Sequence, residues 1–478
     1  MTRLLALAAV LAAPPLFAQP YDKPPPVGPP RPVTIAAPDV ATLDNGLRVV
    51  VSQRRSLPLV TVELVIRSGT ETDPRDLAGL ADMTATLLAK GTARRTAPQI
   101  AEAAEALGGQ LDTGAGWYRT SVSMTVTRPQ LAAALALIAE VTLTPSFAQG
   151  ELDRERKLTL DALAVALRDP GKLASFASDR AAFGEGTYGH PAGGTPGSVA
   201  RIRRAAVVAQ HAKYYRPDNA TLIFVGDIDP AEARTLAQSA FGAWKRPAAA
   251  LRAARADDAQ AAPPAPIVIA MAGAGQAGVA MTAPSIARSA ADYYPGVIAN
   301  TLLGGGYSSR LNLEARIRRG LTYGIFSQLE ARRQAGVWWI AAQTRNESAP
   351  ELIAVVLEEL RKVAASPPPA EELEARKLTM IGAVSRRFET TEDLAGTLAS
   401  LEANGIPVAE VTATIDRLAA VTPQQVVDFA KAHWGPEALA IVVAGEADKF
   451  ENALRAAYPG LRVIPHDALD LDRATLTK

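Results

Sequence analysis

One repetition limits what this chain can fold into more than any other feature. Residues 216–227, RPDNATLIFVGD, align without a gap on residues 435–446, GPEALAIVVAGE, at an offset of 219. Thr86, Leu87 and Leu88 before Gly91 likewise match Thr301, Leu302 and Leu303 before the Gly304, Gly305, Gly306 triplet, at an offset of 215. Each of the longer blocks leads into a short acidic loop and an amphipathic helix, at 230–241 and 449–457. A period this long lies far beyond the roughly 20–50 residues of a solenoid unit. It predicts two domains of similar fold in one chain. The length of 478 residues agrees, because a single core stops growing well short of that.

Local patterning says what each domain is made of. Asn45-Gly46 sits between apolar runs and marks a hairpin. Residues 60–67 and 121–127 alternate as strands, the second with one exposed face. Helical spacing runs over 78–88, 97–107, 130–143 and 149–168, with Pro170 and Gly171 stopping the last. Residues 337–344, VWWIAAQT, read as a strand that puts one of Trp338 and Trp339 in the core and the other on the opposite face. The order hairpin, helix pair, strand pair, helix pair and final strand departs from regular β-α-β alternation. The expected class is α+β: two homologous domains, each a mainly antiparallel sheet with helices packed on one face. An Ala/Pro/Asp stretch at 247–266 is the expected linker between domains at 39–246 and 267–478.

The N-terminus reads as an address. Arg3 precedes an apolar stretch at 4–17 that is too short for a bilayer needing roughly 20 apolar residues. A signal peptide over 1–18, cleaved after Ala18, is expected, followed by a Pro-rich leader at 19–38. The expected location is the periplasm. The absence of cysteine rules out disulfides and a lipid-anchored lipoprotein. With 50 basic against 49 acidic residues, nothing favours nucleic acid or an anionic membrane surface, and no stable membrane insertion is expected.

Two segments carry the chemistry. Residues 302–327, LLGGGYSSRLNLEARIRRGLTYGIFS, place Arg316 and Tyr323 seven residues apart, between a Gly-rich turn and a strand-like run opened by Gly320. The triplet is no phosphate loop, since no Gly-Lys-Ser/Thr follows. Residues 79–92 read GLADMTATLLAKGT. Together they resemble the pitrilysin/insulinase family of zinc peptidases, to which the mitochondrial processing peptidases belong. The resemblance spans about 42–465. In that family the second segment holds His-x-x-Glu-His. Paired His four apart on a helix face bind zinc, and the Glu acts as base on zinc-bound water. This chain has Asp82, Ala85 and Thr86 there, and its four histidines lie elsewhere. The family's third ligand is a Glu after an acidic/Arg cluster. Here the cluster is residues 151–156, ELDRER, and the ligand position falls on Ala162, with Asp161 about 100° away around the helix. One carboxylate, one hydroxyl and one methyl are no zinc shell.

The resemblance assigns Arg316 and Tyr323 to a substrate and oxyanion clamp that acts only within a complex. Each also has a plainer reading: Arg316 as one more solvated charge among 310–319, Tyr323 as a half-buried strand aromatic. The resemblance implies that this chain binds no cofactor and pairs with a zinc-motif-bearing homologous subunit that holds the metal. The substrate is expected to be a peptide or unfolded protein, bound as an added strand along a sheet edge. The alternative is a structural or peptide-binding scaffold without proteolytic role, as the core subunits of the respiratory bc complex are. A hydrolase of unrelated chemistry ranks last, with no cysteine and no recognisable Ser or Thr nucleophile motif.

Overall fold

A computed structural model describes residues 35–251 and 265–477. The expected signal, nearly all of the leader and most of the linker lie outside them. The first half forms a six-stranded sheet from β1 (Asp39–Thr42), β2 (Arg48–Gln53), β3 (Leu59–Ile66), β4 (Asp112–Ala115), β5 (Thr120–Thr127) and β6 (Ala220–Gly226), ordered β1-β2-β6-β3-β5-β4. The second half builds another from β7 (Ile267–Ala270), β8 (Ala277–Ser285), β9 (Thr322–Glu330), β10 (Gly336–Thr344), β11 (Ala440–Gly445) and β12 (Arg462–Pro465), ordered β12-β7-β11-β8-β10-β9. The repeated blocks end up as β6 and β11, paired parallel to β2 and β7 respectively. Both sheets are mixed, with antiparallel pairs in the majority: four of five in the first and three of five in the second. Only the outermost strand differs. The Asn45-Gly46 hairpin brings β1 antiparallel onto β2, whereas β12 arrives from the far end of the chain, parallel to β7.

Each sheet packs one face on helices of its own half. Leu64, Ile66 and Val122 meet Leu87, Leu135 and Ile138 in the first core. Trp338 and Ile340 meet Leu302, Leu352 and Val356 in the second. The opposite faces are covered by exchange. The helix Pro170–Phe183 sets Leu173, Ala174 and Ala177 against Ala280, Val442 and Ala444 of the second sheet. The helix Thr391–Ala403 sets Leu394, Ala395 and Leu398 against Val50, Val65 and Ile223 of the first. Burying leucines such as Leu173, Leu394 and Leu398 stabilises by about 1.5–3 kcal/mol each. The exchange therefore ties the halves into one body.

Two sequence expectations gain detail or change here. The helix Gln149–Ala166 stops before Pro170 as expected, and Pro170 also begins the next one. Asp169 accepts the Lys172 N–H at 2.8 Å as N-cap, and Pro170 occupies the first turn, where its missing N–H costs nothing. The second face of β5 is half-buried instead of exposed, because Ser121 donates to Glu63 at 2.6 Å and Thr125 pairs at 2.8 Å with Thr61, which itself reaches Thr391. No helix among the described residues is long and apolar enough to cross a membrane.

Candidate functional site

The second half aims its chemistry through three local devices. The first is a close approach. The Gly-rich turn is a helix-to-helix turn after Tyr293–Leu303. A Cβ on Gly304 would come within 2.7 Å of the Ser327 backbone nitrogen, so only glycine lets the turn lie against β9, where Ser327 N–H donates to Gly304 O at 3.0 Å. The second is a π-helix at Asn312–Arg318. Asn312 sets it: its side chain is buried, donates to Ile325 O at 2.6 Å and accepts from Ile325 N–H at 3.2 Å. Tying the helix to β9 across thirteen residues widens the turn, and such widened turns recur at functional sites. The third is a β-bulge. Thr322 pairs with Thr344 and Ile325 with Ala342, so Tyr323 and Gly324 together face Gln343. Thr322 Oγ1 donates to Gln343 O at 2.7 Å and accepts from Gly324 N–H at 3.1 Å, which holds the extra residue. A bulge re-aims the side chain it carries. Tyr323 is 85% exposed as a result, and the half-buried reading does not hold.

Arg316 meets Tyr323 there. Its guanidinium lies 5.2 Å from the centre of the Tyr323 ring and 4.9 Å from that of Tyr307. Tyr307 in turn packs edge-on against Phe326 at 5.6 Å. Neighbouring arginines are all taken by carboxylates: Arg310 by Glu372, Arg318 by Glu314, and Arg319 by Glu314 and Glu351. The paired Arg318 and Arg319 hold Glu314 below the usual carboxylate range. Among the described residues Arg316 has aromatic faces and no carboxylate partner, so its hydrogen-bond donors stay available. Cation–π contacts of this kind contribute about 0.5–1 kcal/mol at exposed sites. They hold a side chain in place without consuming its N–H groups.

The first half offers no such chemistry on its glycine-capped helix. Asp82, Ala85 and Thr86 lie on the helix Leu80–Leu88, which packs against the helix Gln149–Ala166 carrying Ala162. Asp73 caps the first helix by accepting from Gly79 N–H and Ala81 N–H, both at 2.8 Å, and burial pushes its carboxyl well above the usual range. Asp82 is raised by burial too, tempered by a backbone hydrogen bond from Ala115 on β4. Ala85 is fully buried, Thr86 half-buried and Ala162 exposed. Asp161 points to solvent and pairs with Lys157 at 2.7 Å. These donors do not fit zinc, and among the described residues no three His, Cys, Asp or Glu side chains gather to hold an ion.

Sequence reasoning missed several residues. Below Tyr323 opens a cavity of 710 Å³ between the helix Pro170–Phe183 and strands β8, β9 and β10, with Trp339 and Asp179 in its lining. At the β9–β10 turn, Arg333 donates to Ala403 O of its own half at 2.7 Å and reaches into the other half, donating to Arg67 O and Tyr118 O at 3.1 Å. Beside it Glu71 is buried and pushed up to about 8 by desolvation, although Arg333 lies 3.9 Å away. The recurrence of RKLTL at 156–160 as RKLTM at 376–380 pairs two other helices and points to none of these residues.

Sequence profiles of two families match the chain. Insulinase, peptidase family M16, covers residues 48–195, and the peptidase M16 inactive domain covers residues 201–380. An uncharacterized zinc protease of Streptomyces coelicolor is 27% identical over 87% of this chain and 91% of its own length. The crystal structure of a peptidase M16 inactive domain from Pseudomonas fluorescens superposes with a TM-score of 0.79 at 26% identity, covering 85% of this chain and 98% of that one. A Helicobacter pylori protease superposes at 0.81 with 20% identity, over 86% of this chain and 100% of that one, and shares the fold.

Proposed function

The chain belongs to the insulinase family of peptidases, M16, and from that premise we propose that it is the zinc-free subunit of a heteromeric exported metalloendopeptidase. The observation that carries this reading is an asymmetry between its halves. Half-buried Arg316 and exposed Tyr323 converge, free of carboxylates, with Tyr323 at the mouth of a cavity, while Asp82, Ala85, Thr86 and Ala162 offer neither a metal shell nor a base. A homologous partner with His-x-x-Glu-His would hold the zinc, which would activate water for peptide hydrolysis. This chain's residues bind and orient. Arg316 donates to a substrate carbonyl, and the Tyr323 hydroxyl donates to the oxygen of the scissile carbonyl as negative charge builds on it. Periplasmic export through residues 1–18 completes the proposal.

The test is co-expression with a zinc-motif homologue from the same host, with light scattering for assembly and chelator-sensitive peptide cleavage for activity. The isolated chain is expected to hold no stoichiometric zinc and to cleave nothing. Tightly held zinc in the isolated chain, or a monomer that ignores the homologue, overturns the proposal. A stable pair whose turnover is indifferent to Tyr323→Phe favours the scaffold reading instead.

A further inference from the structure

The cavity under Tyr323 has an unusual floor. Both halves build it, and small side chains leave the space: Ser175 and Ser178 on the exchanged helix face Ala280 on β8 and Ala341 on β10. At 710 Å³ it lies within the roughly 300–1,000 Å³ of small-ligand pockets. Its walls include the flat rings of Trp339 and Phe326. Trp339 is fixed by donating its Nε1–H to Glu330 at 2.9 Å.

Two carboxylates line this space, and they differ in employment. Asp169 is engaged, accepting from Lys172 N–H at 2.8 Å and from the Gln343 amide at 3.2 Å. Asp179 has only the Thr282 hydroxyl, at 3.0 Å, which Ser178 shares at 2.8 Å. No cation among the described residues lies within ion-pair distance of it. A half-buried carboxylate without a cation is costly, and a stable core alone favours an apolar residue there. A cation arriving with a ligand removes the cost.

We propose that this cavity is a specificity pocket for a lysine or arginine side chain of the bound peptide, with the ammonium or guanidinium meeting Asp179 and the alkyl stem lying along Trp339 and Phe326. The inference rests on the reading of Tyr323 as a substrate clamp, since the clamp is what sets a peptide across the cavity mouth. Burial raises the Asp179 carboxyl to about 7, with Arg332 pulling down and Glu330 pushing up from the β9 end. Exposed Lys172 stands at the helix start near Asp169. Binding a cation favours the ionised form, so affinity weakens as pH falls below about 7.

Binding to the isolated full-length chain tests this without the partner. The probe is a short Ala/Ser peptide blocked at both ends with one central arginine, compared with the same peptide carrying citrulline, which keeps the shape and drops the charge. Titration calorimetry is expected to show the arginine peptide binding roughly 10–100-fold more tightly, the range of one charge-assisted hydrogen bond. Asp179→Asn should abolish the difference and leave the citrulline peptide unchanged. Ala341→Leu, which fills the cavity from the far wall, should weaken both and guards against a folding artefact in the first variant. Equal affinities in the wild type, absent binding of the arginine peptide at millimolar concentration, or a preference that survives Asp179→Asn each overturn the pocket. Failure here leaves the Tyr323→Phe effect in the assembled pair intact, whereas failure of the subunit reading leaves arginine selectivity without proteolysis.

Discussion

The helix at Leu80–Leu88 and the π-helix at Asn312–Arg318 each follow a glycine turn or cap and lie beside the edge strand of their sheet, β4 or β9. Their side chains have gone opposite ways. In the first, the positions that would face a reaction carry a carboxylate raised by burial, a buried methyl and a half-buried hydroxyl. In the second, a bulge and a widened helix hold Arg316 and Tyr323 clear of every carboxylate nearby. What separates them is whether local irregularity still serves a side chain. The first helix is regular and serves packing; the second carries strain-prone features that packing alone does not need.

That contrast can be broken most sharply at Tyr323. In the assembled pair, Tyr323→Phe removes one oxyanion donor and is expected to lower kcat by about 10²–10³-fold, roughly 3–4 kcal/mol, with assembly unchanged. Steady-state kinetics alongside light scattering decides it, and unchanged turnover would make the two halves equally inert. Thr322→Val comes next. It leaves Gln343 O and Gly324 N–H without the hydroxyl that holds the bulge, in a buried position, costing about 1–3 kcal/mol. Denaturant unfolding should report the loss, and kcat should fall with it if the bulge aims Tyr323. Gly320→Ala tests the entry to β9. Gly320 sits at φ +61, and an added Cβ would meet nothing within 4 Å, so the cost is backbone strain alone, about 1–2 kcal/mol. Gly320→Asn, which tolerates that conformation better, should recover part of it.

The contact between the halves gives a pH signature. Glu71 is pushed up to about 8 by burial, from 4.5 in an unfolded chain, so between those values the folded protein holds the extra proton. Stability from this group is therefore full below about 4.5 and is lost as pH rises through about 8. Glu71→Gln keeps an acceptor for Gly69 N–H and should flatten the fall in melting temperature over that window. Asp73 and Asp179 are raised too, so some slope should remain. Smallest of all is Thr86→Ala, expected within about 0.5 kcal/mol in stability and without effect on the pair's turnover. A large effect would mean that the first helix still does chemistry.

Much of this was legible in the residues, and the parts that were not share a cause. Two similar sheets followed from the blocks that became β6 and β11, because a strand's alternation and a hairpin's Asn-Gly are local properties. Asp82, Ala85, Thr86 and Ala162, and Arg316 with Tyr323, could be placed through the resemblance to the zinc peptidases, which their flanking residues and spacing carry. The π-helix and the bulge escaped, since both are set by hydrogen bonds from Asn312 and Thr322 to other strands.

The exchange of helices was hidden for the same reason. Leu173, Ala174 and Ala177 announce an apolar face, but nothing in them says that it covers the sheet built a hundred residues later. Asp179 meets Thr282 across 103 residues, and neither side chain carries a mark of the other. By itself the sequence determined the local periods, the turns, the kind of fold and which residue types stand at 82, 85, 86 and 162. Tertiary structure alone decided which helix lies on which sheet, how Tyr323 is aimed and where a carboxylate waits without a cation. Apolar burial is non-directional, so a sequence specifies that a face must be covered, and only the folded chain specifies by what.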